Sequence, residues 1–246
     1  MFPILQLGPF AVQLPGLFLL AGVWIGTWLV ERTAPKHKLS AGTVSNMIFI
    51  ALVAGIVGAR LWYALRYINV YLGDPISLLS LNPSTIAPLE GGLTGLLVAL
   101  IYSQRKGLPL WPTLDAMTLP FAVMAVSIGL AHLSSGDAFG APSEVPWVID
   151  LWGESRHPSQ IYEILTGMAI FVVVYSLQRV NRAPGILFLS WVALTTGGRL
   201  FLEAFRGDSV IIFSSIRSAQ VTSLITLLAV MWGLRRLSMR DLSPEA

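Results

Sequence analysis

The chain has 246 residues, of which 54% are hydrophobic and only 12% are charged, and its mean hydropathy is +0.71. This composition excludes an ordinary soluble domain and indicates an all-α polytopic membrane protein. The formal net charge of +3 is spread along the chain, so nothing suggests a nucleic-acid partner. Cysteine is absent, which excludes disulfides, thiolate metal sites and a cysteine nucleophile in this chain, but not chemistry on a partner's cysteine.

Seven apolar runs predict a bundle of about seven transmembrane helices in a single transmembrane domain, residues 1–246. The third run is short and rich in glycine, which is typical of a tilted or partly re-entrant segment. The first run lacks a basic leader and an obvious cleavage site, so we expect a retained helix and not a signal peptide. The runs cover residues 14–30, 43–65, 89–103, 114–134, 161–178, 185–205 and 219–235.

Positive charge alternates between the loops that join these runs. Lysine and arginine follow the first, third, fifth and seventh runs, whereas the intervening loops carry Asp74 and then Asp137, Glu144, Asp150 and Glu154. Because basic residues concentrate on the cytoplasmic side, the pattern predicts an N-terminus outside and a cytoplasmic C-terminus. It also predicts an extracytoplasmic segment near 135–157. The basic loop residues are Arg32, Lys36, Lys38, Arg105, Lys106, Arg179, Arg182, Arg235, Arg236 and Arg240.

The second and third runs each carry a charged residue at the end that is predicted to lie outside. Arg60 stands beside interfacial aromatic residues, so it is either a membrane anchor or part of a site. Gly91 and Gly95 have the spacing that favours close approach of another helix. Glu90, just before them, is either a base in a partly desolvated site or a carboxylate that faces the helix dipole.

The apolar character of the fourth run ends over residues 128–140, which contain glycine, serine and aspartate. Irregular backbone at this depth must be buried in protein or line a cavity. His132 lies there and is a candidate base or phosphate ligand, although a packing role at the interface is as common. Pro158 suits the first turn of the next helix. Gln160 and Glu163 would share one face of that helix, whose free amides would add anion-binding capacity.

The sixth run contains the densest charge pattern. Arg199, Glu203 and Arg206 fall on one face of a helix predicted over 185–205. A charge at this depth costs at least about 2.5–3.5 kcal/mol, so such residues usually face the bundle interior and are functional. The surplus guanidinium suits a phospholipid phosphate, whose oxygens match its planar fork. The alternative is a structural ion pair, with Arg206 extending to the lipid headgroups.

Four segments together resemble motifs of the prolipoprotein diacylglyceryl transferases, which are bacterial membrane enzymes. Residues 157–163, His-Pro-Ser-Gln-Ile-Tyr-Glu, resemble the HPxQxYE element of that family, and residues 58–61 resemble its GAR motif. Residues 90–95 are similar to its HGGxxG element, and residues 199–206 to its RxxxExxR helix. Order and approximate spacing agree over nearly the whole chain.

The sequence departs from the family pattern at several catalytic positions. Glu90 stands where the family has a histidine, and Pro15 replaces the tyrosine of the first span. Residues 128–140 resemble the signature GRxGNFxNGExxG, but Gly129 occupies the arginine position and His132 the first asparagine position. The signature positions that persist are Gly136, Asp137 as an acid, and Gly140.

The resemblance implies a seven-span enzyme of the bacterial plasma (inner) membrane, with no cofactor and no metal. Such an enzyme transfers a diacylglyceryl group from phosphatidylglycerol, or another anionic phospholipid, to the lipobox cysteine of a secreted prolipoprotein. The residues expected to be catalytic are Glu90, His132, Arg199 and Glu203. The residues expected to bind substrate are Arg60, Asp137, Gly140, Arg156, His157, Gln160, Tyr162, Glu163 and Arg206.

Two other functions stay open at this point. The loss of the signature arginine favours a catalytically degraded descendant, which would keep the lipid-binding bundle as a membrane subunit of a larger complex. Intramembrane charge pairs are also typical of transporters. Transporters commonly show repeats of inverted topology, and the sequence contains no convincing repeat.

Overall fold

The computed structural model describes residues 4–7, 10–79, 85–180, 183–212 and 216–242, in which eight α-helices dominate. The helices are α1 (Leu14–Thr33), α2 (Ala41–Arg66), α3 (Ile68–Gly73), α4 (Pro88–Arg105), α5 (Leu110–Ser135), α6 (Ser159–Leu177), α7 (Ile186–Leu202) and α8 (Ser218–Leu242). Three antiparallel strand pairs accompany them: β1 (Ile4–Leu7) with β2 (Phe10–Gln13), β3 (Ile149–Leu151) with β4 (Glu154–Arg156), and β5 (Ile211–Ile212) with β6 (Ile216–Arg217). Arg182, one of the basic loop residues, lies outside the described residues.

Each of the seven predicted runs forms a helix, so the prediction of an all-α polytopic membrane protein is confirmed. Within the described ranges, six helices are long and apolar enough to cross a membrane. The remaining run forms α4, whose 18 residues include Glu90, Arg105 and three glycines. α4 is the run that the sequence marks as tilted or re-entrant, and its path through a membrane stays a prediction.

The helices divide into two compact units, residues 34–113 and residues 1–33 with 114–246. In the first unit, α2 and α4 approach each other closely through glycine. A Cβ atom on Gly91 would lie 2.7 Å from the carbonyl oxygen of Gly55, and one on Gly95 would lie 2.8 Å from that of Ala51. The close approach predicted from the glycine spacing is therefore confirmed.

In the second unit, buried residues of α1, α5, α6 and α7 form an apolar core. Asp115 of α5 holds the start of α7, because its carboxylate accepts hydrogen bonds from the amides of Gly185 at 2.6 Å and Phe188 at 2.9 Å. A carboxylate at this position satisfies free amides and complements the helix dipole. The core residues are Leu29, Leu119, Val174 and Leu187.

The helix predicted over 185–205 ends earlier than expected. α7 stops at Leu202, a 3₁₀ turn covers Glu203–Phe205, and Arg206 is extended with φ −80° and ψ 142°. Arg206 then forms an antiparallel bridge with Gly140. The prediction that Arg206 shares one helical face with the preceding charged pair is therefore wrong, because this pairing draws the backbone out of the helix.

Candidate active site

Arg199 and Glu203 form the ion pair that their spacing of four residues predicts. Nε of Arg199 lies 3.3 Å from Oε2 of Glu203. The glutamate side chain is 2% exposed and the arginine side chain is 47% exposed. Oε1 of Glu203 also accepts a hydrogen bond from the Ser209 hydroxyl at 2.6 Å. The buried carboxylate therefore anchors a guanidinium that is still accessible to an anion.

Arg217 of β6 fixes the chain around this pair. Its Nη1 donates to the carbonyl oxygen of Glu203, to that of Arg206 at 2.6 Å, and to the Ser209 hydroxyl at 3.1 Å. Because two of these acceptors are backbone oxygens, no sequence motif points to the contact, and sequence reasoning missed Arg217. The contact holds the segment that follows α7 in the conformation that brings Ser209 to Glu203.

Arg206 adds a second cation next to the pair. Its Nε and Nη2 donate to the two carboxylate oxygens of Asp208 at 2.9 and 2.7 Å. Burial lowers the pKa of the Arg206 guanidinium, but the hydrogen bond and charge of Asp208, with the charges of Glu163 and Glu203, raise that pKa above its ordinary value overall. Arg206 is therefore a permanent cation under the influence of both glutamates.

A histidine and a glutamate meet between α5 and α6. Nδ1 of His132 lies 2.9 Å from Oε2 of Glu163, and the two side chains are 30% and 26% exposed. A carboxylate at Nδ1 favours the tautomer with its proton there, which leaves Nε2 as an acceptor. The pair thus has the arrangement of an oriented general base.

Gly129 lies one turn before His132 and faces α6. A Cβ atom on Gly129 would lie 2.8 Å from Cγ1 of Ile164 and 3.4 Å from the amide nitrogen of Ile164. A side chain at this position would press against the Ile164 side chain, so the glycine favours close packing of α5 against α6. The signature arginine of the family would require the Ile164 side chain to shift at this position.

Aromatic rings surround His157 at the start of α6. Its ring centroid lies 5.2 Å from that of Phe205 and 6.1 Å from that of Tyr162. The Tyr162 hydroxyl lies 3.4 Å from Nδ1 of His157 and accepts a hydrogen bond from Nε1 of Trp147 at 2.6 Å. These contacts connect the HPxQxYE segment to the 3₁₀ turn that contains Glu203.

Gln160, Asp137 and Gly140 organise the loop that follows α5. The Gln160 side chain is fully buried, and its Nε2 donates to the backbone oxygen of Asp137 at 2.9 Å. The Asp137 carboxylate accepts a hydrogen bond from the Ser135 hydroxyl at 2.7 Å. A Cβ atom on Gly140 would overlap the carbonyl oxygen of His157. Because residue 140 is glycine, its backbone can lie against the carbonyl group of His157. The same residue forms the bridge to Arg206.

The Arg156 guanidinium contacts the β3–β4 hairpin and the loop that follows α5. Its Nη1 donates to the backbone oxygen of Gly140 at 3.2 Å, its Nε donates to that of Leu151 at 3.3 Å, and its Nη2 pairs with Glu154. The guanidinium also lies 4.9 Å from the centre of the Phe139 ring. These contacts stabilise the β3–β4 hairpin against the loop after α5.

Arg60 and Glu90 belong to the unit formed by residues 34–113. Arg60 donates to the backbone oxygens of Leu78 at 3.0 Å, Ser77 at 2.6 Å and Thr85 at 2.6 Å. Glu90 accepts a hydrogen bond from Arg66. Arg60 thus holds a loop through backbone oxygens, and Glu90 is half of an ion pair.

The described residues of the second unit bring together a histidine–glutamate pair, a buried carboxylate with an accessible guanidinium, and a second cation under the influence of both glutamates. Most of the helices around them are long and apolar. The fold and site define a polytopic membrane protein with a charged site suited to proton transfer beside an anionic group.

Comparison with known proteins identifies the family. The family model of prolipoprotein diacylglyceryl transferase matches residues 3–236. Relatives named phosphatidylglycerol--prolipoprotein diacylglyceryl transferase include one from Shouchella clausii (strain KSM-K16), 30% identical over 98% of this chain and 93% of the relative. One from Geobacillus kaustophilus (strain HTA426) is 30% identical over 94% and 91%, and one from Gloeobacter violaceus (strain ATCC 29082 / PCC 7421) is 29% identical over 98% and 95%. The chain belongs to the prolipoprotein diacylglyceryl transferase family.

Proposed function

We propose that this chain transfers the diacylglyceryl group of phosphatidylglycerol to the thiol of a lipobox cysteine on a secreted prolipoprotein. A carbon–sulfur bond forms, the carbon–oxygen bond to the phosphate breaks, and glycerol phosphate leaves with the electron pair. Family membership supports the reaction class. The observation that carries the proposal for this chain is the His132–Glu163 pair, in which a carboxylate contacts Nδ1 of the imidazole.

The geometry favours His132 over Glu90 as the base. A free cysteine thiol has a pKa of about 8.5, so most of the thiol groups are protonated near neutral pH. The thiol must lose its proton before the sulfur can attack. Glu163 orients the imidazole, and Nε2 of His132 is then available to accept that proton. Glu90 is already engaged by Arg66. We therefore assign proton removal to His132 and an orienting role to Glu163.

Arg199 is the proposed ligand of the lipid phosphate. Its side chain is half exposed, and Glu203 anchors only one edge of its guanidinium. Arg206 contributes positive charge that stabilises the leaving phosphate as the carbon–oxygen bond breaks. The engagement of Arg60 and Arg156 by backbone oxygens supports roles in positioning loops for these two arginines.

The site is expected at the outer face of a bacterial plasma membrane. A secreted prolipoprotein presents its cysteine on that side, and the alternation of basic loops predicts the same side for the α7–α8 connection. This orientation, with the N-terminus outside and the C-terminus cytoplasmic, is testable by labelling single cysteines, because the natural chain contains none.

The decisive experiment is a transfer assay with purified full-length chain, phosphatidylglycerol vesicles and a lipobox peptide. We expect a thioether-linked product and released glycerol phosphate in equal amounts. If neither product forms while the protein retains phosphatidylglycerol, the chain is a non-catalytic lipid-binding descendant and the proposed reaction is wrong.

A further inference from the structure

Two arginines near helix ends lie over tryptophan rings. Cζ of Arg32 is 3.6 Å from the centre of the Trp28 ring in α1, and Cζ of Arg236 is 4.1 Å from that of the Trp232 ring in α8. In both helices the tryptophan precedes the arginine by four residues, the spacing at which side chains meet on one helix face. Tryptophan is the ring that attracts a cation most strongly, and arginine is the cation most often found there.

Both pairs lie near the ends of helical spans that are long and apolar enough to cross a membrane, Leu14–His37 and Ser218–Met239. The two tryptophans are 46% and 59% exposed, and both arginines are exposed as well. Tryptophan at the end of a span commonly lies at headgroup level, and an arginine one turn further along extends toward the lipid phosphates. The alternation of basic loops predicts the cytoplasmic side for both ends.

Arg32 and Arg236 also differ from the other cations in what they contact. Among the described residues, neither guanidinium is paired with a carboxylate. A ring face holds a guanidinium in place without neutralising its charge, and it leaves the N–H groups at the edge of the guanidinium free to donate. That edge is the planar fork that matches two phosphate oxygens. The ion pairs of the described residues are Arg66–Glu90, His132–Glu163, Arg156–Glu154, Arg199–Glu203 and Arg206–Asp208.

Two other helices repeat the spacing with tyrosine. Nζ of Lys106 lies 5.9 Å from the centre of the Tyr102 ring, and Cζ of Arg179 lies 5.1 Å from that of the Tyr175 ring. Tyrosine attracts a cation less strongly than tryptophan, and the interaction extends only to about 6 Å. We therefore assign no lipid to these two pairs.

We propose that each tryptophan–arginine pair binds the phosphate of an anionic phospholipid in the cytoplasmic leaflet, as a site separate from the one proposed for catalysis. The guanidinium supplies the positive charge and two N–H groups, and the indole fixes its orientation at headgroup depth. A headgroup with a net negative charge is favoured over a zwitterionic one, because the guanidinium repels the ammonium group of the latter. Each site is contained in one helix and requires no transfer chemistry, so the inference goes beyond the proposed function.

The test places full-length protein in phosphatidylcholine nanodiscs that contain a minor fraction of phosphatidylserine, an anionic lipid that is not the proposed substrate. Lipids that stay bound to the released protein are counted by native mass spectrometry. The double variant Arg32→Gln with Arg236→Gln should hold two phosphatidylserine molecules fewer than the natural chain, because loss of one charge-assisted hydrogen bond lowers the affinity of a site by about tenfold or more. The matched control is Lys38→Gln with Arg235→Gln, which removes the same charge from the same two parts of the chain, at exposed side chains that lie over no ring of the described residues.

A second double variant, Trp28→Leu with Trp232→Leu, keeps apolar side chains at the interface but removes the rings, and it should lose the same two lipids. Loss in the arginine and tryptophan variants with retention in the control supports the two sites. An equal loss in the control would show only diffuse attraction to basic loops and would overturn the inference, as would unchanged lipid in either the arginine or the tryptophan variant. Because the readout is binding, absence of transfer activity overturns the proposed function and leaves this inference standing.

Discussion

His132 and Glu163 lie 31 residues apart in the chain, yet Nδ1 of the histidine is 2.9 Å from Oε2 of the glutamate. α5 and α6 bring them together, and the close contact of Gly129 with Ile164 sets the separation of those helices near the pair. The family signature has an asparagine at the position of His132. The histidine therefore gives this chain a titratable group in direct contact with the glutamate of the HPxQxYE segment.

Replacing His132 by Ala should lower the transfer rate by about 10²–10⁴-fold, because that is the usual contribution of a positioned general base. Glu163→Gln should lower it less, since the amide can still contact Nδ1 but carries no charge to stabilise the imidazolium. The measurement is single-turnover transfer to a lipobox peptide. Glu144→Gln is the control, as Glu144 is an exposed carboxylate in the loop between α5 and α6. Unchanged rates in His132→Ala would show that another group removes the proton.

Replacing Arg199 by Lys should weaken retention of phosphatidylglycerol by an amount equivalent to about 1.5–3 kcal/mol, the range for one charged hydrogen bond. Lysine keeps the charge but loses the planar fork that meets two phosphate oxygens. Arg199→Ala should weaken retention further. Co-purified lipid quantified by mass spectrometry is the readout, and Arg179→Lys, an exposed arginine after α6, is the control. Equal lipid content in all variants would exclude Arg199 as the phosphate ligand.

Hydrophobic run length was sufficient to predict the seven long helices, because in a membrane every backbone group must be satisfied within its own segment. The short helix α3 was not predicted, because its six residues lie between two of the runs. The end of α7 was not predictable in the same way. Arg206 leaves the helix to pair with Gly140, a backbone contact between distant segments that leaves no local pattern. The Arg199–Glu203 pair is local and was predicted, whereas the contact of Arg217 with backbone oxygens depends on tertiary structure alone.

Replacing Gly140 by Ala should destabilise the second unit by at least about 1–3 kcal/mol, the usual cost of forcing extra volume into a packed site. The new methyl group would overlap the backbone oxygen of His157, which cannot move without displacing the start of α6. The melting temperature should fall, and transfer should fall with it because the bridge to Arg206 is disturbed. Gly16→Ala is the control, since a Cβ atom at Gly16 has open space around it. An unchanged melting temperature in Gly140→Ala would contradict the close approach.

Restoring the family's arginine at position 129 should not increase activity in this chain. An arginine there would press against Ile164, whose Cγ1 lies 2.8 Å from the expected Cβ position, and would push apart the helices that carry His132 and Glu163. We therefore expect Gly129→Arg to lower both the melting temperature and the transfer rate.

The double variant Gly129→Arg with Ile164→Ala separates the steric effect from the chemical one. Removal of the isoleucine side chain makes room for the arginine, so the melting temperature should rise above that of Gly129→Arg alone. If the guanidinium then reaches the leaving phosphate, transfer should also exceed that of an Ile164→Ala control, because a preorganised charge at such a site contributes about 2.7–4 kcal/mol to the transition state. A stable Gly129→Arg variant with a higher rate than the natural chain would show that the arginine position is not closed by packing.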